Sequence, residues 1–430
     1  MAALYMTLPV NPTCKSYINQ LDTIHHQGLR LCLGAFRTSP MESLYVAADE
    51  PSLANRRIKL SLQYVVKLFS NPTNPAFNCV FNLNYPELYA RKPKTIKPLG
   101  LRVQPHIEAA NLDLQQIAKT ELVDIPPWKL FTPSICLDLA QNEKSVTDPA
   151  TYRSDFLELK DKYPSHVSFY TDGSKDGDRV AAAAVCRQYS LSTRLPSHAS
   201  IYTAELRAIL LALDVMGKSN KKKFMLFSDS LSCLQAVQHA KLDHPMLIQI
   251  LTKLSTLHDD HFDIILCWVP GHMGFSGNER ADQLAKQALN SEIEPCPIPY
   301  TDLRQAICQY VRHLWQESWT TFTSNKLFSI QPELGLKWQP NRDLPRRDQV
   351  VLTRCRIGHS HYTHSFLLKA EPLPECVFCF CPMTIQHLLL ECGDLVLVRQ
   401  QFYDVTSLKD LFDTVSQNRL LQFLKDADLY

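Results

Sequence analysis

Four acidic residues are spaced so that a single fold could gather them. Asp172 follows an apolar run in Tyr170-Thr171-Asp172-Gly173-Ser174, and Glu205 lies one turn into a helical apolar pattern. Asp229 closes Phe224-Met225-Leu226-Phe227-Ser228-Asp229, and Asp282 is expected at the start of the last helix of the segment. Strand ends and helix starts at one sheet edge aim their side chains into a shared crevice. Carboxylates crowded there repel unless cations neutralise them, and hard oxygen ligands without histidine or thiolate suit Mg²⁺, with Mn²⁺ as a substitute. The matching chemistry is phosphodiester hydrolysis with two metal ions: one lowers the pKa of an attacking water and the other stabilises the leaving 3′ oxygen. Singly, each acid is weak evidence. Asp-Gly is commonly just a turn, Glu205 alone reads as a solvated helix acid, and Asp229-Ser230 would serve as an N-cap pair.

A fifth residue joins them. Trp268-Val269-Pro270-Gly271-His272-Met273-Gly274-Phe275-Ser276-Gly277-Asn278-Glu279-Arg280-Ala281-Asp282 sets His272 on a loop hinged by glycines and close in sequence to Asp282. A plain surface histidine would not call for glycines at 271, 274 and 277. Asn278 reads as a helix brace and Arg280 as a solvated charge, so neither enters the catalytic set.

The elements that must position these side chains show in the periodicity. Val167–Tyr170, Val180–Arg187, Phe224–Ser228 and Ile264–Val269 read as strands, and Tyr202–Met216, Pro245–His258 and 276–289 as helices. The expected fold class is α/β, a mixed sheet flanked by helices, over 164–290. Upstream, Ile18, Leu21, Ile24 and Leu29 recur at helical spacing, and Leu53, Ile58, Leu62, Val65 and Phe69 form a second stripe, so 1–72 is expected to be a small helical piece. Eleven of the 27 prolines fall between Pro72 and Pro164, which makes 73–163 an expected extended connector. The region 291–430 is expected to be mainly helical.

At 430 residues the chain exceeds one small module, and 45% hydrophobic against 20% charged residues excludes collagen-like and wholly disordered classes. A net charge of +2 means that nucleic acid would have to be held by local patches. The expectation is a soluble intracellular protein: no uncharged apolar run is long enough to span a membrane, and Met1–Val10 lacks the basic region of a secretory signal. Nine of the 14 cysteines, Cys14, Cys32, Cys79, Cys136, Cys186, Cys233, Cys267, Cys296 and Cys308, sit among apolar neighbours as buried thiols would.

The order strand-end Asp, helix Glu, strand-end Asp-Ser and His-x-Gly-x-x-Gly-Asn-Glu-x-Ala-Asp resembles the type 1 ribonuclease H family across 164–290. The resemblance implies a ribonuclease H fold, a mixed five-stranded sheet flanked by helices, that cuts the RNA strand of an RNA–DNA hybrid with Mg²⁺. It further implies that Asp172 bridges two metals, that Glu205 and Asp229 hold one and Asp282 the other, and that His272 assists proton transfer or product release. Transposases and integrases share the sheet but use two Asp and a late Glu; here the late acid is Asp282 and an additional Glu205 is present.

The flanks carry weaker resemblances. Leu21–Arg30 and Gly34–Val46 look like the region after the polymerase core of jockey-like non-LTR retrotransposon reverse transcriptases. No Tyr-x-Asp-Asp turn occurs in the chain, so a polymerase partner would have to lie outside it. Cys376, Cys379, His387 and Cys392 supply three thiolates and one imidazole, suited to a closed structural Zn²⁺ site, and their spacing resembles the C-terminal Cys-Cys-His-Cys motif of the same elements. Buried thiols in a helical tail are the alternative for that cluster, with Cys381 a spare or swapped ligand. Arg304–Lys369 holds ten basic residues and four acids with Trp315, Trp319, Trp338 and Tyr362 interleaved. Such a span suits nucleic-acid binding, with Arg346, Arg347, Arg354 and Arg356 as the expected phosphate ligands, although Trp315 and Trp319 at helical spacing also suit a core. The expected function is a retrotransposon-derived ribonuclease H; the alternative is a nucleic-acid-binding remnant acting through the basic span and the cysteine-rich tail.

Overall fold

The computed structural model describes residues 15–82, 86–91, 97–120, 131, 133–141, 147–240, 242, 244–335 and 338–430. Cys14, Met1–Val10 and part of the proline-rich stretch lie outside the described residues. The chain divides into two compact units, one formed by Leu62–Ile307 and the other by the residues up to Ser61 together with Cys308–Tyr430. Among the described residues no helix is long and apolar enough to cross a membrane.

The Leu62–Ile307 unit is built on a sheet of six strands rather than five. β1 (Ser134–Cys136), β2 (Val167–Asp176), β3 (Arg179–Val185), β4 (Ser190–Leu195), β5 (Lys223–Ser228) and β6 (Asp263–Trp268) lie in the order β1-β6-β5-β2-β3-β4. β2, β3 and β4 form an antiparallel meander, while β5 runs parallel to β2 and β6 parallel to β5. The additional strand comes from the proline-rich stretch: Ser134, Ile135 and Cys136 pair in parallel with Ile265, Leu266 and Cys267. Three residues carry too little periodicity to be read as a strand, and only the waiting edge of β6 makes them one. The same stretch also holds helices at Phe77–Phe81, Pro86–Arg91 and Leu99–Ala109, so it is not simply extended.

Helices cover both faces of the sheet. They are α1 (Pro149–Lys162), α2 (Ile201–Met216), α3 (Leu231–Gln238), α4 (Pro245–Asp259) and α5 (Ser276–Ala288). On one face Leu206, Ile209, Leu213 and Met216 of α2 pack with Leu247, Ile250 and Leu254 of α4 over Phe224 and Leu226. On the other, Tyr152, Phe156 and Leu159 of α1 meet Met225, Phe227, Ile265 and Cys267. Each fully buried large side chain contributes about 1.5–3 kcal/mol, and these two layers fix the sheet. Ala181–Ala184 form the middle of β3 despite alanine's low strand propensity. All four are at most 1% exposed, and their small side chains let α2 and α5 close on β3 from opposite sides.

In the other unit, helices Lys15–Leu33, Met41–Ala48, Arg346–Ile357 and Gln417–Asp426 belong to one body. Its joints are specific: Arg354 Nε donates to the Gly34 carbonyl at 2.8 Å and Ser43 Oγ to Asn325 Oδ1 at 3.0 Å. His25 stacks on Tyr45 and His26 Nε2 lies 2.5 Å from the Tyr45 hydroxyl, so both histidines are engaged with a ring.

Candidate active site and metal centres

Register explains how two of the acids meet. The parallel pairing of β2 with β5 ends at Thr171 opposite Ser228, so Asp172 and Asp229 are the next residues on neighbouring strands, at the same edge. β2 itself continues to Asp176 in its hairpin with β3, which puts Asp172 within the strand rather than at its end. Glu205 arrives from α2, whose N-terminus is capped by Ser200 Oγ accepting from the Thr203 amide at 3.1 Å. Gly173 allows the approach: a Cβ there would stand 2.9 Å from the Glu205 amide nitrogen and 3.1 Å from its Cδ. One carboxylate oxygen from each of Asp172, Glu205 and Asp229 lies within 4.8 Å of the others.

The electrostatics of this trio are those of an anionic trap. Asp172 is 6% and Glu205 8% exposed, and Glu205 Oε2 has no hydrogen-bond partner among the described residues. Burial, then the charges of Asp229 and Asp282, push Asp172 up to about 8. Burial, then Asp172 and Asp229, push Glu205 up to about 9. A buried acceptor without a donor, beside two further carboxylates, is a donor set for a hard cation. The residues therefore fit Mg²⁺ or Mn²⁺ on charge, ligand type and geometry.

Asp282 and His272 stand differently. α5 begins at Ser276, so Asp282 lies nearly two turns into the helix and not at its start. The first turn of α5 seats Gly277 flat on Tyr170, where a Cβ would be 2.2 Å from the ring. Asp282 is outside the tight trio; its Oδ2 accepts from Lys286 Nζ at 2.7 Å, an i,i+4 pair legible in the sequence. His272 is exposed, with a left-handed backbone (φ 62°), on the loop between β6 and α5. That loop touches the site through Gly271, where a Cβ would be 2.5 Å from Asp229 Oδ2. The Trp268 indole nitrogen donates to the Asp229 carbonyl at 3.0 Å. Asn278 is buried, and Arg280 reaches the Cys186 carbonyl at 3.3 Å and Ser190 Oγ at 2.5 Å. Arg280 thus ties α5 to the turn between β3 and β4.

In the second unit Cys376, Cys379, His387 and Cys392 each offer a ligand atom within 4.8 Å of the rest. Cys392 Sγ is 3.9 Å from both Cys376 Sγ and Cys379 Sγ. That separation is far too long for a disulfide and close to the ~3.8 Å edge of a tetrahedron with Zn–S bonds of about 2.3 Å. Hydrogen bonding to His387 and to the amides of Phe378 and Cys379 draws the Cys376 thiol down to about 6, toward the thiolate a metal binds. Cys381 falls outside the four, although its Sγ is 3.3 Å from His387 Nδ1.

Of the four arginines, Arg356 is buried, Arg354 half-buried, and Arg346 and Arg347 exposed. Arg356 is 4% exposed, donates to Gln331 Oε1 at 2.6 Å and stacks over Trp338, so its expected phosphate role is corrected to a core one. Arg354 holds Gly34 and Phe36, Arg346 donates to the Cys32 carbonyl at 2.5 Å, and Arg347 covers the Tyr430 ring. Trp315 and Trp319 are core, with the Trp319 indole donating to the Gln331 carbonyl at 2.9 Å. Among the other thiols Cys186, Cys233 and Cys267 are buried as expected, whereas Cys32, Cys79 and Cys308 are exposed.

Compared with known protein families, residues 164–290 match the family model RNase H. The Leu62–Ile307 unit thus contains an RNase H domain, and the acidic trio lies within the matched residues.

Proposed function

We propose that the protein is a ribonuclease H-type endonuclease that hydrolyses the RNA strand of RNA–DNA hybrids by two-metal catalysis, within a chain derived from a non-LTR retrotransposon. The observation that carries the reading is the trio Asp172, Glu205 and Asp229, three converging carboxylates of which two are buried and held far above their ordinary pKa. Asp172, Glu205, Asp229 and Asp282 would hold Mg²⁺. When bound, the ions lower the pKa of the attacking water and stabilise the leaving 3′ oxygen. Asp172 and Glu205 give up their protons on loading, and the buried walls around them keep bulk water from screening the site. Lys286 neutralises Asp282, and would yield it as a ligand when an ion is bound. His272 carries a proton to or from the reacting oxygens.

Retroelement origin rests on the resemblances of 21–46 and 376–392. The Cys376, Cys379, His387 and Cys392 cluster serves as a structural Zn²⁺ site. A purely nucleic-acid-binding role is the weaker reading, since Arg354 and Arg356 are spent inside their own unit. The test is a labelled hybrid incubated with the full chain in Mg²⁺ or Mn²⁺. The expected result is cleavage leaving 5′-phosphate and 3′-hydroxyl ends, abolished in Asp172→Asn; an uncut hybrid in both metals overturns the proposal.

A further inference from the structure

We infer that α1, which precedes the RNase H match, is part of the catalytic unit, and that Arg153 is a positioning residue for the loop carrying His272. The inference rests on the nuclease reading above for its kinetic consequence, but the contact itself is independent of it.

α1 is a well-specified helix. Asp148 caps it by accepting from the Ala150 amide at 2.8 Å, and Pro149 occupies its first turn. Tyr152, Phe156 and Leu159 recur on one face and are buried beneath β5 and β6. Phe156 sits 5.2 Å from Phe227 on β5 and 4.6 Å from Phe275, measured between ring centroids. Phe275 is the residue immediately before α5 and is itself 5% exposed. The far end of the His272 loop is therefore pinned to α1 by an aromatic pair.

Arg153 lies one turn before Phe156, at the solvent rim of the same face. Its Nε donates to the Met273 carbonyl at 3.4 Å, and its guanidinium lies over Gly274, where a Cβ would meet Nη2 at 2.4 Å. The loop it covers has two left-handed residues in three, His272 at φ 62° and Gly274 at φ 79°. The left-handed region carries a backbone cost for a non-glycine residue, smaller for His than for most, and the contacts on either side of the loop offset it. Gly271 against Asp229 supplies the grip on one side, and Arg153 with Phe156 supplies it on the other. Loss of the second grip frees His272 to wander from the acids without changing them.

The experiment compares the full chain with Arg153→Ala, Arg153→Lys and, as a control on the exposed side of α1, Glu158→Ala. Backbone hydrogen exchange of residues 271–275 is followed by mass spectrometry, and steady-state kinetics are measured on a labelled hybrid in Mg²⁺. In Arg153→Ala, exchange in 271–275 is expected to rise while that of β5 stays unchanged, and kcat is expected to fall about tenfold with KM within about twofold. Arg153→Lys should recover part of both effects and Glu158→Ala should show neither. Unchanged loop exchange in Arg153→Ala overturns the inference, as does a rise in KM at constant kcat, which would make Arg153 a substrate contact. If the wild-type chain cuts nothing, the nuclease reading fails, while the exchange result still decides whether α1 holds the loop.

Discussion

The acidic trio predicts an inverted pH dependence of stability that one substitution should flatten. In the metal-free protein Glu205 stays protonated up to about 9 because burial and its two carboxylate neighbours oppose its charge, whereas in the unfolded chain it ionises near 4.5. Between those limits the folded state binds one more proton than the unfolded state, so stability falls as pH rises. The contribution is fully present below about 4.5 and is lost as pH rises toward about 9. Each such proton is worth about 1.4 kcal/mol per pH unit, and Asp172 adds a second over a window that closes near 8. Glu205→Gln removes one of the two protons from the balance. Urea denaturation of the full chain in chelator, followed by circular dichroism at pH 5, 6, 7 and 8, should give a transition that weakens with pH in the wild type. The slope should shrink by about 1.4 kcal/mol per unit in the variant, while added Mg²⁺ stabilises the wild type most at the alkaline end. A wild-type slope that is flat or rising, or one that Glu205→Gln leaves unchanged, would refute the electrostatic account of the site.

Gly271→Ala forces a methyl group to 2.5 Å from Asp229 Oδ2, so hybrid cleavage should fall more than about tenfold while the Mg²⁺ requirement rises in a metal titration. One equivalent of zinc per chain is expected by elemental analysis of protein purified without chelator. It should be lost in Cys392→Ser and retained in Cys381→Ser, because only the former is among the four converging ligands. Arg356→Ala should destabilise its unit by about 2–4 kcal/mol in denaturant melts, since it empties a buried stack on Trp338, yet leave hybrid affinity at fixed salt unchanged. Lys286→Ala should lower the Mg²⁺ concentration for half-maximal cleavage about twofold to threefold by releasing Asp282 from its 2.7 Å ion pair.

How much could be read beforehand depended on how local each cause was. Asp172 and Asp229 were legible because an apolar run followed by an acid marks where a buried strand leaves its neighbour, and the parallel pairing of β2 with β5 stops in register just before both acids. Glu205 was legible because its helix has a continuous apolar stripe, while the Ser200 cap that starts it appears only in the structure. Asp282 was legible as an acid of α5, whereas the seating of Gly277 against Tyr170 in the first turn of that helix is a fact of packing with no local signature. β1 was missed for the same reason: Ser134, Ile135 and Cys136 become a strand only against β6. The arginines show the limit most clearly. A basic, aromatic-rich span looks like a phosphate grip until Arg354 is seen to reach Gly34, 320 residues earlier in the chain. Local charge density cannot distinguish a cation aimed at solvent from one closing a long-range joint. Carboxylates are easier to interpret, because two of them buried beside a third stay charged only with a cation at hand, and packing alone gives no reason to place them there.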